Sequence, residues 1–132
     1  TIEDILESVK PYYITGITIL GGEPMERANQ KGILPLIEEF KKRYPEKSLW
    51  IYSGYTFDVD LIPGGRAYCD ATPKILKLCD VIVDGKFVQD LYDITLRFRG
   101  SSNQRIIDVK QSIKENKVVL WEGDSVFATH SM

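Results

Sequence analysis

Histidine occurs once in these 132 residues, at His130, and cysteine twice, at Cys69 and Cys79. Neither cysteine belongs to a C-x-x-C pair, so the chain carries no thiolate metal motif, and a three-ligand site would need all three side chains to converge from distant positions. Cys79 falls on the apolar face of a short helix and reads as a buried free thiol, whereas Cys69 is open to either reading. No apolar run nears the ~20 residues that span a bilayer. Thr1 to Lys10 is charged and amphipathic, unlike the apolar core of a signal peptide. A large excess of charge of one sign is missing too: a net charge of -2 argues against a domain held on nucleic acid by its overall field. No G-x-x-x-x-G-K-[ST] loop exists to cradle phosphates, which disfavours a phosphotransferase. These absences lead us to expect a soluble, cytoplasmic protein with neither nucleic acid nor membrane as partner.

What is present is ordinary in bulk and patterned in detail. Hydrophobic residues make up 43% and charged residues 27%, as in an average soluble domain, and the length fits one domain over 1–132. Ile2, Ile5, Leu6 and Val9 keep helical spacing, with Thr1 and Asp4 arranged like a capping box, and Pro11 ends the segment. An apolar strand over Gly16 to Leu20 follows. The next helix carries the stripe Ile33, Leu34, Ile37, Phe40 and Tyr44; Pro45 stops it, and Pro35 inside it predicts a kink or a new first turn. Leu49 to Tyr52 reads as a strand, Asp58 to Tyr68 as a loop with one helical turn, and Thr72 as the cap of a short helix with Pro73 at its first position. Val81 to Val83, Ile106 to Val109 and Val118 to Trp121 are further strand candidates, with a helical turn at Gln111 to Glu115. Ser125 to Met132 reads as a loose tail. Strands alternating with helices across short loops predict an α/β fold with a mostly parallel sheet.

Three strand ends carry residues suited to a ligand: Gly21-Gly22-Glu23, Ser53-Gly54 and Asp84-Gly85. In open α/β sheets the binding crevice lies outside the carboxyl ends of the strands. Glycines there let backbone approach a ligand closely, and Glu23 could accept charge-assisted hydrogen bonds from an ammonium group. The same Gly-Gly-Glu-Pro run can equally be a structural strand-to-helix turn, with Glu23 favoured by the helix N-terminus. A second dense patch runs from Arg97 to Arg105 and includes Ser101, Ser102, Asn103 and Gln104. Its arginines suit a phosphate or carboxylate clamp, or merely a solvated loop; one interleaved aromatic, Phe98, makes a poor platform for single-stranded nucleic acid.

Taken together, GGEP after the first strand present, IYSGY, DVIVDGKF and above all LRFRGSSNQRIIDV resemble the activating proteins of anaerobic ribonucleoside-triphosphate reductase, glycyl-radical-enzyme activases of the radical S-adenosylmethionine (SAM) superfamily. The resemblance covers about Ile5 to Trp121. It implies a partial (β/α) barrel that binds SAM beside a 4Fe-4S cluster, takes an electron from a donor such as flavodoxin or ferredoxin, and generates a glycyl radical on the reductase large subunit. By motif, Gly21, Gly22 and Glu23 would hold the methionine ammonium. Ser53 and Asp84 would lie near the methionine or ribose, and Ser102, Asn103 and Arg105 would close the site or face the partner. The family's C-x-x-x-C-x-x-C loop and first strand have no counterpart here, and Cys69 and Cys79 have the wrong spacing to replace them. The chain is therefore expected to contribute no cluster ligand and no catalytic residue, to be inactive alone, and to self-associate through an exposed strand edge. A non-catalytic α/β module for a nucleoside-like ligand is the competing reading.

Overall fold

The computed structural model describes residues 2–12, 14–19, 23–85 and 104–121. In chain order the elements are α1 (Ile2–Ser8), β1 (Gly16–Ile19), α2 (Arg27–Arg43), β2 (Ser48–Tyr52), α3 (Phe57–Asp60), α4 (Ala71–Leu78), β3 (Val81–Asp84), β4 (Arg105–Asp108) and α5 (Val109–Glu115). The strands form one sheet in the order β1-β2-β3-β4. β1, β2 and β3 are parallel, in register Ile17 with Leu49 and Ile51 with Ile82, while β4 runs antiparallel to β3 with Ile107 opposite Ile82. The expected α/β class and mostly parallel sheet are what the chain adopts.

Strand side chains alternate between faces. Leu49, Ile51, Ile82 and Ile107 face the helical layer and pack with Ile37 and Phe40 of α2 and Ile75 of α4. Trp50, Tyr52, Val81, Val83 and Ile106 form a second cluster with Trp121, whose ring meets Trp50 edge-on at 4.7 Å between centroids. At the amino ends of the strands, Asp80 accepts from Lys41 Nζ at 2.7 Å and from the Leu49 N–H at 2.8 Å. Gly16 is a close-approach position: a Cβ there would stand 2.2 Å from the Ser48 carbonyl oxygen.

Two local expectations are corrected and one is narrowed. α2 runs as one helix through Pro35, so of the two alternatives there, a kink or a new first turn, the new first turn is excluded. Thr72 does not cap α4. The helix starts at Ala71, and the Thr72 hydroxyl accepts from the Cys69 N–H at 2.9 Å instead; Pro73 still falls within the first turn, where a missing N–H leaves no helical bond unmade. Val118 to Trp121 makes only an isolated antiparallel bridge, Leu120 with Ile107. The Ser112 hydroxyl takes the Val119 N–H at 2.8 Å, which draws that segment onto α5. The Leu20 end of the first strand, the Thr1 cap and the tail lie outside the described residues.

Candidate functional site

The carboxyl ends of β1, β2 and β3 are knitted together by polar side chains. Glu23, just beyond β1, reaches across to the turn after β2: its Oε2 accepts from the Ser53 hydroxyl at 2.8 Å and from the Met25 N–H at 2.9 Å, and its Oε1 accepts from the Gly54 N–H at 2.6 Å. A carboxylate offers about four acceptor positions, so among the described residues these three bonds leave one on Oε1. The Ser53 oxygen also accepts from the Tyr55 N–H at 3.1 Å, and the Ser53 N–H joins the β3 ladder at Val83 O, 2.9 Å away. The Glu23 carboxylate is thus held at a fixed point between two strand ends.

Asp84, at the end of β3, is buried. Its Oδ2 accepts from the Phe57 N–H at 2.7 Å and Arg105 Nη2 at 2.6 Å, and its Oδ1 accepts from Arg105 Nε at 3.0 Å. Arg105 Nη2 also reaches Asp58 Oδ1 at 2.8 Å. The guanidinium holds the Asp58 carboxyl below its ordinary range, and its own pKa is raised by the bond to Asp84. Hence, among the described residues, Arg105 spends Nε and Nη2 on two aspartates and retains Nη1 toward any anion. Gln104 Nε2 donates to Gly85 O at 3.0 Å, and Gly85 adopts a positive φ of 97 degrees, a conformation open to glycine at little cost. The structure therefore brings Glu23 to Ser53 and Asp84 to Arg105. Gly21, Gly22, Ser102 and Asn103 lie outside the described residues.

Reading the sequence missed a third group beside Glu23. Tyr55 Oη donates to Glu26 Oε2 at 2.8 Å, and the Arg66 guanidinium lies 4.8 Å from the centre of the Tyr55 ring. Arg66 Nε is bonded to Asp60 at 2.9 Å. The Thr56 N–H, with Arg66, lowers the Asp60 pKa, and the bond to Glu26 raises that of Tyr55. A mainly apolar groove of about 620 Å³ opens elsewhere, between α3, α4 and α5, and includes Phe57 and Asp58 but neither Glu23 nor Ser53.

The family model of a 4Fe-4S single cluster domain matches residues 1–107. The chain belongs to that family. Among its relatives are proteins named anaerobic ribonucleoside-triphosphate reductase-activating protein from Vibrio cholerae, 38% identical over 69% of this chain and 54% of the relative; from Enterobacteria phage T4, 35% identical over 80% and 61%; and from Escherichia coli K12, 39% identical over 67% and 53%. The chain spans little more than half the length of these relatives. No solved structure matches it significantly.

The cysteines of this 4Fe-4S-domain chain do not fit a cluster. Cys69 and Cys79 flank the eight residues of α4, about 12 Å of helix, too far apart to ligate one iron–sulfur core without refolding. The Cys79 thiol is wholly buried, its Sγ 3.2 Å from Val81 O, and burial pushes its pKa well up. Among the described residues no three Cys, His, Asp or Glu side chains converge as metal ligands. One thiol of the native chain should therefore react with Ellman's reagent and two in guanidinium; two fast-reacting thiols in the native state would contradict the burial of Cys79.

Proposed function

We propose that this chain is the SAM-binding portion of an activating protein that generates a glycyl radical on the anaerobic ribonucleotide reductase large subunit, using electrons from a flavodoxin or ferredoxin. The observation that carries the reading is the Glu23 carboxylate, fixed by Ser53, Gly54 and Met25 at adjacent strand ends with one acceptor position open. A preset anion with spare acceptor capacity suits an ammonium group, and the methionine ammonium of SAM is the ligand implied by the motif. Gly21 and Gly22 would offer backbone to the same group. Ser53 acts by orienting Glu23, and Asp84 by anchoring Arg105. The names of the relatives support the target. We read the sheet as part of a radical SAM partial barrel.

The cluster's ligands are not among these residues, and this chain's own part is confined to holding and orienting SAM. The 132 residues alone should be inactive. Mixed anaerobically with the reductase, SAM and a reductant, the full-length protein should yield the doublet electron paramagnetic resonance signal of a glycyl radical, whereas the 132-residue chain should not; no signal from either would remove the reading. The competing reading, a non-catalytic module for a nucleoside-like ligand, draws on the poor fit of the cysteines. It would gain if the 132-residue chain bound SAM with micromolar affinity in the absence of iron.

The first strand also bears on assembly. β1 pairs with β2 alone among the described strands, and an open strand edge recruits other chains. The isolated chain should self-associate with rising concentration in light scattering; a monodisperse monomer at high concentration would refute this.

A further inference from the structure

Gln30 occupies the apolar stripe of α2, one turn before Ile33 and Leu34, and is completely buried. Its side-chain amide joins the turn at Met25, five residues earlier, to the stretch from Ala67 to Thr72, about 40 residues on. Nε2 donates to Met25 O at 2.7 Å and to Ala67 O at 2.8 Å, while Oε1 accepts from Thr72 Oγ1 at 2.6 Å and from the Cys69 thiol at 3.4 Å. An amide has two N–H donors and two acceptor lone pairs, so the full capacity is used. A buried polar group is costly unless paired, and a leucine would satisfy the stripe without any of these partners. Met25, itself buried, links this amide to the site: its carbonyl takes Gln30, and its N–H donates to Glu23 Oε2 at 2.9 Å.

We propose that Gln30 is a positioning residue, whose buried amide fixes Met25 against α4 and thereby sets the aim of the Glu23 carboxylate between the ends of β1 and β2. The inference rests on the reading of Glu23 as the acceptor for a ligand's ammonium. A carboxylate aimed only by Ser53 and Gly54 could swing with the turn that bears it; the bond to a clamped Met25 removes that freedom. Preorganisation of this kind raises affinity by cutting the ordering cost of binding.

The test compares Gln30→Met, which keeps the side chain's length and removes every bond, with Thr72→Val, which removes a partner on the α4 side and leaves the bond to Met25. Residue-resolved amide hydrogen exchange at Met25 and Gly54 is read in the ligand-free protein, and SAM is titrated into the full-length iron-loaded protein below both melting temperatures. Gln30→Met should speed exchange at both amides about tenfold or more and weaken SAM binding about tenfold. Thr72→Val should lower the melting temperature while changing exchange and affinity less than twofold. Unchanged exchange in Gln30→Met, or equal effects of the two substitutions at Gly54, overturns the proposal. Should Gln30→Met not fold, Gln30→Asn, which keeps the amide one carbon short, carries the same exchange measurement with the same criteria. Should the unsubstituted protein fail to bind SAM, the reading of Glu23 falls while the exchange data still decide the role of Gln30.

Discussion

Replacing Glu23 with glutamine should weaken SAM binding ten- to a hundredfold in the full-length, iron-loaded protein. The loss of a charge-assisted hydrogen bond to an ammonium costs on the order of 1.5–3 kcal/mol, and each 1.4 kcal/mol is about tenfold in affinity. The near-isosteric shape of glutamine suggests an undisturbed fold, but the contacts say otherwise. Glu23 accepts from Met25, Ser53 and Gly54 with both oxygens, and an amide nitrogen in place of one oxygen faces a donor with a donor. The melting temperature should therefore fall as well. Ser53→Ala separates the two effects, since it removes one of the bonds that hold the carboxylate and leaves the charge in place. It should lower stability with a much smaller loss of affinity. If both substitutions weaken SAM binding in proportion to their destabilisation, Glu23 only holds the turn and is no ligand.

Arg105→Leu should be the most destabilising of these substitutions. It strips two hydrogen bonds from the buried carboxylate of Asp84, leaving the Phe57 N–H as its one described donor. Removing one partner of a buried ion pair costs roughly 3–5 kcal/mol because the remaining charge is uncompensated. The Arg105 side chain is 32% exposed, which points to the lower end, about 3 kcal/mol, and a melting temperature lowered by roughly 10 °C. Adding Asp84→Asn should restore much of the loss at neutral pH. A deficit that survives the second substitution would mean that Arg105 contributes packing rather than charge.

How much of this was legible beforehand differs from element to element. Gly16 to Ile19, Leu49 to Tyr52 and Val81 to Val83 stand out as apolar runs with turn residues at their ends, because short strands buried in a parallel sheet need no partner information to be recognised. The stripe on α2 was equally plain. Its flaw, a glutamine at position 30 in step with Ile33, Leu34 and Ile37, was the visible signal of a buried polar hub, since a polar residue on an inward face persists only when paired. Thr72 misled because Ser and Thr before Pro at a helix start ordinarily cap. Here its hydroxyl is claimed by Gln30, a residue 42 positions away. Val118 to Trp121 misled because β-branched runs favour strands only where a neighbour offers a full ladder, and Ser112 takes that ladder's N–H at Val119.

By itself the sequence determined the alternation of helices and strands as far as β3, the placement of Glu23, Ser53 and Asp84 at strand ends, and the family likeness carried by the GGEP and RGSSNQR runs. Those features depend on periodicity and on residues adjacent in the chain. Only the tertiary structure decided that Glu23 is bonded to Ser53 across 30 residues, that Arg105 is spent on Asp84 and Asp58, and that β4 turns antiparallel. Which donor meets which acceptor is set by strand register and helix packing, through-space quantities that local sequence patterns do not encode, whereas an unpaired charge at nearly zero exposure is not tolerated once the sheet has formed.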